Sequence, residues 1–268
     1  MTVPTRDDIR SGIKRLSGLS PAVQAILPRL GDEALGAHEL GSMISQDPIL
    51  AARVLHLANS PFYGLSRQVG SLDEAVLILG VSHLRGMVLT TGLIGLFADT
   101  DAVAHSLGTA AAAASLAKSL KQDSGTALTA GLLHNLGALL LGHFASDAWQ
   151  SLPAVPPEGT GDRLHHEKKL FGFDHCELGA DIAGDWHFPE RICAAIRLHV
   201  TPSDDTPDRL IDLVHVAWVV GAVGRSTHAG AIHPGTLSRM GLASDTGEGA
   251  LEAAREAAQE SLNAMASL

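Results

Sequence analysis

Apolar residues in this chain recur at spacings of three and four, the period of a helix with one face against a core. They almost never alternate with the period of two that marks a strand. The clearest early case is 48–58. Asp47 and Pro48 supply an N-cap and a first helical residue, and Ile49, Leu50, Val54, Leu55 and Leu57 form the apolar face. Asn59, Ser60 and Pro61 end this helix, because the residue before a proline is driven out of the α region, and Gly64 frees the loop that follows. Asn59 and Ser60 are expected to shape that loop through short side-chain bonds to exposed backbone groups. Ser71 and Glu74 have capping-box spacing, so each side chain is expected to take the other's backbone N–H. Ala75, Val76, Ile78 and Leu79 are the expected buried face of the helix they open.

Further along, the pattern predicts a long apolar helix over 82–97, a polar break at 98–101, an alanine-rich helix containing His105 and a helix carrying His134. A Pro/Gly-rich loop follows at 153–159, then a helix bearing Glu167. Asp174 and Glu177 repeat the capping-box spacing before a helix that runs through Trp186, and Pro189 opens another that ends near His199. A helix over about 208–223 and a strongly helical tail from 248 complete the chain. The expected fold class is therefore all-α, with an N-terminal helical lobe at 1–98, a second helical lobe at 99–225 and a C-terminal helical tail at 226–268. No fixed-period repeat or long low-complexity linker separates independent units.

Composition narrows the function classes. The chain has 268 residues, 46% of them hydrophobic, and a single tyrosine, Tyr63; this is enough apolar material for a large core and too little β-branched and aromatic alternation for sheets. The formal net charge is −10 and the 19 basic residues are thinly spread, so there is no basic face to displace counterions from a nucleic acid. The N-terminus lacks the apolar core of a signal peptide, and the apolar run 87–98 is too short to span a bilayer. A soluble, cytoplasmic protein without membrane contact is expected. Cys176 and Cys193 fall on neighbouring helices and read as small buried residues without a disulfide or a metal role. His165, His166 and Glu167 read as a solvated helix start. Ser60 and Ser106 lack a glycine elbow or a paired base, which sets serine hydrolase chemistry aside.

The ordered segments 47–60, 63–64, 75–80, 131–137 and 175–179, with Trp186 and Pro189, together resemble the HDOD family, the HD-related output domain of bacterial signalling proteins, over about 19–223. The resemblance implies a multi-helical fold in which an N-terminal helical lobe lies beside a C-terminal lobe related to the HD phosphohydrolases, in degenerate form. It also implies a non-enzymatic output or scaffold role, found in the family beside receiver, kinase and cyclic-dinucleotide domains. With none of those in this sequence, a stand-alone module is expected to receive its signal by binding a signalling protein partner or a small ligand. The sequence names neither the partner nor the oligomeric state.

The segment 131–137 carries the sharpest departure from the HD enzymes. His105 and His134 match the two histidines of their metal site, but Asn135 stands where the motif has aspartate, and Trp218 falls at the closing aspartate. Asparagine offers a metal only a neutral carbonyl oxygen, and an indole offers nothing. His175 and His199 align with second-metal positions of the related HD-GYP phosphodiesterases. His105, His134, His175 and His199 converging in one cleft would suit a single transition metal such as zinc or iron. The expectation is a protein with no catalytic residues and no required cofactor. A metal-dependent phosphohydrolase or phosphodiesterase, and a metal or nucleotide sensor that binds without turnover, stand as alternatives.

Overall fold

The computed structural model describes residues 3–13, 20–26, 35–59, 69–80, 100–153, 160–205, 207–222 and 235–266, together with positions 29, 32, 84, 88, 232 and 233. Among the described residues the regular structure is helical, with no strand. The first lobe contains α1 (Arg6–Ile13), α2 (Pro21–Ile26), α3 (Ala37–Ser45), α4 (Pro48–Ala58) and α5 (Leu72–Leu79). The second contains α6 (Thr100–Ser119), α7 (Ser124–Leu133), α8 (Leu136–Phe144), α9 (Ser146–Gln150), α10 (Thr160–Phe171), α11 (His175–Asp185), α12 (Glu190–Leu198) and α13 (Arg209–Val220). Two more helices, α14 (Thr236–Met240) and α15 (Asp245–Ala266), close the chain.

In the first lobe the predicted start signals do their work with one change of partner. Asp47 accepts the Leu50 N–H at 3.0 Å and Ser71 accepts the Glu74 N–H at 3.1 Å, so each satisfies an orphan donor of a first turn. The Glu74 carboxylate, however, takes the N–H of Gly70 at 2.9 Å and not that of Ser71. Asn59 does more than end α4. Its amide donates to the carbonyls of Leu55 and Val69, both at 2.9 Å, and its oxygen accepts the Val69 N–H at 2.6 Å, so one side chain joins the end of α4 to the approach to α5. Leu50 and Val54 are buried as expected, while the side chains of Ile49 and Leu57 lie outside the described set. On α5, Ala75 and Val76 are buried but Ile78 is 40% exposed. At 100° per residue the face centred between Ala75 and Val76 turns away before Ile78, so this part of the expected buried face is corrected. Ser60, Pro61, Tyr63, Gly64 and the loop 154–159 lie outside the described residues, as does most of 82–97, where Leu84 and Val88 are helical and buried.

The second lobe is assembled around α6. This helix starts at Thr100, so the expected polar break is shorter than 98–101, and Asp101 sits in the first turn, where a carboxylate complements the helix dipole. Its run of alanines, Ala110 to Ala114 at 3% exposure or less, presents a low surface on which α7, α13 and α15 pack closely. Ala254 and Ala258 of α15 are fully buried, which places the C-terminal helix on this lobe. A tighter approach joins α8 to α11. A Cβ on Gly137 would fall 1.9 Å from the His175 carbonyl oxygen, and one on Gly179 would fall 3.0 Å from the Gly137 nitrogen, so the two backbones touch with no room for a side chain. From the other lobe, α1 is fastened to α11 by charge. Arg6 reaches Glu177 at 2.7 Å and Asp181 at 2.5 Å, and Arg10 reaches Asp185 at 2.6 Å. The Arg6 guanidinium also covers the Phe173 ring at 4.9 Å.

One apolar stretch, 124–144, has the length and composition of a membrane span, longer than the 87–98 run singled out in the sequence. It is broken into α7 and α8 at His134 and Asn135, and 67% of its apolar window is buried inside the fold.

The glycine contact yields a paired prediction. Gly137→Ala gains helix propensity but forces α8 and α11 apart, and it is expected to lower stability by about 3 kcal/mol. Gly184→Ala, in α11 with open space around it, is expected to raise stability by roughly 0.5–1 kcal/mol. Urea denaturation of the two variants checks both signs.

Candidate functional site

The helix ends of this lobe converge on a buried group of histidines. His105 lies within α6, His134 follows the last residue of α7, His175 is the first residue of α11, and His199 follows the last residue of α12. All four are buried, at 8%, 0%, 9% and 1% exposure. Their rings run as a chain of edge-on contacts, with centroids 5.0 Å apart for His105 and His134, 4.9 Å for His134 and His199, and 5.6 Å for His175 and His199. The structure thus brings together the four histidines expected from the sequence. It corrects one placement: His134 and Asn135 form the turn between α7 and α8, not a helix interior.

The turn position explains the ring orientation. The last carbonyls of a helix have no partner within the helix. His134 Nδ1 lies 2.6 Å from the Gly131 oxygen and His199 Nδ1 lies 2.8 Å from the Ile196 oxygen, in both cases the carbonyl three residues back. A carbonyl can only accept, so Nδ1 carries the proton in each ring and Nε2 keeps its lone pair. His215 repeats the device one step out. Its Nδ1 donates to the His199 oxygen at 2.7 Å, and its Nε2 accepts the His233 N–H at 2.8 Å. His134 Nε2 is buried with no hydrogen-bond partner among the described residues. Burial first, and the neighbouring imidazoles second, push the pKa of His134 and of His199 well below the ordinary histidine range, so both rings are neutral.

His175 is held differently. Its Nδ1 and its backbone N–H both donate to Glu167 Oε2, each at 2.8 Å, and Glu167 Oε1 accepts Arg163 Nε at 3.0 Å. Arg163 in turn lies over the Trp149 ring, 4.5 Å from its centroid. Burial alone would raise the Glu167 pKa, but His175 and Arg163 outweigh it and hold the carboxyl below its usual range. For His175, burial opposes the charged ring, yet Cys176 and Glu167 overcome it and keep its pKa well above the ordinary value.

Two residues near this group make contacts that the sequence did not indicate. Glu167 is fully buried in the middle of α10, which starts at Thr160, so the reading of 165–167 as a solvated helix start is corrected. The signal was available in part: Glu167 lies on the face opposite exposed His165 and Lys169, with Arg163 one turn before it. Cys176 is 1% exposed, with Sγ 3.5 Å from His175 Nε2 and 3.8 Å from His199 Nδ1. One donor atom from each of His175, Cys176 and His199 lies within 4.8 Å of the others. Both cysteines are free thiols. Burial pushes the Cys176 thiol up, the opposite of what a nucleophile needs.

Asn135 and Trp218, which the family resemblance sets against acids of HD enzymes, lie beside the histidines. Asn135 donates from its amide to the Ala102 oxygen at 3.5 Å. Trp218 is 3% exposed and stands edge-on to His199, with centroids 5.5 Å apart, filling space beside the histidines with an indole. Neither side chain supplies a carboxylate, so these two residues do not fit the paired-carboxylate set of a two-metal HD centre.

Comparison with known proteins agrees with this architecture. The family model described as the HDOD domain matches residues 16–202. A candidate phosphohydrolase from Shewanella amazonensis superposes with a TM-score of 0.68 at 25% identity, covering 96% of this chain and 97% of its own. An HDOD domain protein of unknown function from Geobacter sulfurreducens gives 0.61 at 25% identity, over 98% and 92% of the two chains. A candidate signal transduction protein from Marinobacter aquaeolei gives 0.66 at 26% identity, over 98% of this chain and 65% of that one. An uncharacterised protein of Treponema pallidum is 26% identical over 168 residues, which are 60% of this chain; the match spans about a third (33%) of that curated relative's length. With helices as the regular structure of its described residues, a buried histidine group and a family model that matches residues 16–202, this chain belongs to the HDOD family.

Proposed function

We propose that this chain is a non-enzymatic signal-transduction module that acts by association with a signalling protein partner or a small ligand. The observation that carries this reading is the state of its buried carboxylates. Among the described residues these are Glu167, Asp174 and Asp212. Glu167 is taken up by His175 and Arg163, Asp174 by the Glu177 N–H at 2.7 Å and Lys168 at 3.1 Å, and Asp212 by Arg239 at 2.6 and 2.8 Å. An HD-type hydrolase needs carboxylates to hold a hard or bridging pair of cations and a base to activate water. Here Asn135 and Trp218 replace two of them, and every other buried acid in the described set already serves a cation or a backbone donor. Membership of the HDOD family and the likeness to the Marinobacter protein support a signalling role. The net charge of −10 supports a protein or small-molecule partner over a nucleic acid. Such a module fits the bacterial cytoplasm.

A second reading, a metal-dependent phosphohydrolase, draws on the buried histidines and on the likeness to the Shewanella protein. It requires a hydrolytic centre built without free carboxylates. The purified chain is therefore assayed with manganese, magnesium or zinc against bis-p-nitrophenyl phosphate and cyclic dinucleotides. No turnover above buffer is expected for the unmodified chain, nor for Asn135→Asp, because Trp218 still occupies the other acidic position. Turnover by the unmodified chain that is lost in His134→Ala would overturn the non-enzymatic reading.

The engagement of Glu167 is open to a direct measurement. Glu167→Ala strands Arg163 and the His175 donors in a buried site and is expected to cost about 3–5 kcal/mol of stability. Glu167→Gln keeps one acceptor and should cost less. Equal and small losses in urea denaturation would mean that the carboxylate is not committed as described.

A further inference from the structure

We infer that His175, Cys176 and His199 form a site for one thiophilic transition metal ion of the zinc class, with His134 as the further donor beside it. This is a different centre from the four-histidine arrangement suggested by the sequence, because a sulfur ligand replaces imidazole at its middle. It does not rest on the signalling reading, since an ion can be held with or without turnover.

The donor set has the right chemistry. Thiolate and imidazole together suit zinc and its neighbours, whereas magnesium and calcium require oxygen ligands. The spacing is close to that of a bound ion. With Zn–N of about 2.0 Å and Zn–S of about 2.3 Å, neighbouring ligand atoms of a tetrahedron stand roughly 3.5 Å apart. Cys176 Sγ and His175 Nε2 are separated by 3.5 Å. One donor atom from each of His175, Cys176 and His199 lies within 4.8 Å of the others; the His199 nitrogen beside Cys176 Sγ is Nδ1, at 3.8 Å, so binding an ion through Nε2 requires the His199 ring to turn.

The surroundings orient His175 as metal sites require, with Nδ1 on Glu167 and Nε2 toward Cys176, and they fix the tautomer of His199. A metal-binding histidine usually gives its other N–H to a carboxylate or carbonyl, which fixes the ring and the free lone pair. His175 gives Nδ1–H to Glu167, and His199 gives Nδ1–H to the Ile196 oxygen. Glu167 is itself braced by Arg163. The independent observation is His134 Nε2, a fully buried lone pair without a hydrogen-bond partner among the described residues, on a ring 4.9 Å from that of His199. A buried polar atom left unpaired is costly, and an adjacent cation would satisfy it. All of these groups sit beneath less than a tenth of their full exposure, so the ion would be shielded from competing water.

Cobalt(II) titration of the metal-stripped full-length chain tests the site, with the thiolate-to-cobalt charge-transfer band as the readout. The expected result is saturation at one equivalent, with a sulfur band that zinc displaces and magnesium does not. The chain has two cysteines, which makes the assignment decisive. Cys193→Ser should retain the band and Cys176→Ser should lose it, with circular dichroism to confirm the fold. If Cys176→Ser does not fold, retention in Cys193→Ser alone assigns the sulfur. Glu167→Gln should weaken cobalt binding by about 10–100-fold while leaving the band position unchanged. Absence of a sulfur band in the unmodified chain, or its loss in Cys193→Ser, overturns the proposal. Neither result depends on phosphoester turnover or partner capture, so this inference and the signalling reading fail separately.

Discussion

The contact on which the second lobe depends is the meeting of two backbones at Gly137 and Gly179. Most helices pack through side chains at axial distances of about 8–10 Å. Here α8 and α11 approach until main-chain atoms touch, and a single methyl group at Gly137 would overlap the His175 carbonyl. That overlap is with the first residue of α11, so the glycine fixes where α11 begins relative to the turn that carries His134. The approach that these glycines allow brings the turn carrying His134 close to the start of α11, where His175 stands.

Burying these imidazoles is made tolerable by partners from within for Nδ1 of His134, His175, His199 and His215. His134, His199 and His215 close carbonyls at helix ends, a role in which the side chain replaces water at the last turn. His175 is answered by a carboxylate that is itself answered by Arg163. Such a network rigidifies the cleft and sets each tautomer, while leaving Nε2 atoms facing inward. His175, Cys176 and His199 present nitrogen and sulfur to one another, the donor set on which the proposed thiophilic site rests.

Much of this was legible in the chain. Helix starts at Asp47, Ser71, Asp174 and Asp208 could be read because capping is local: the donor and its acceptor lie within three residues. The four histidines could be paired with Asn135 and Trp218 through the ordered motifs of the family. The rest depended on contacts that sequence order does not carry. Glu167 looked solvated beside two histidines and two lysines, and only the docking of α10 against the start of α11 buries it. Cys176 is the small buried residue without a disulfide that the sequence indicates, but its nearness to His199, 23 residues away, is a contact that sequence order does not show. Ile78 missed the core by the rotation of a short helix, an error of angle that no residue type betrays.

The fastening of α1 onto α11 differs in kind from the rest of the fold. Arg6 and Arg10 meet Glu177, Asp181 and Asp185 where water still reaches all five side chains, with Arg10 and Asp185 36% and 45% exposed. Attractions of that sort fade once the ionic atmosphere thickens to a Debye length below about 10 Å, while the buried histidine group at the start of α11 is insulated from it. The same helix thus carries exposed ion pairs to α1 that dissolved ions can weaken and a buried bond from His175 to Glu167 that they cannot reach, so salt loosens the charged part of the α1 contact and leaves Ile9 and Ile13 in the core and the histidines unaltered.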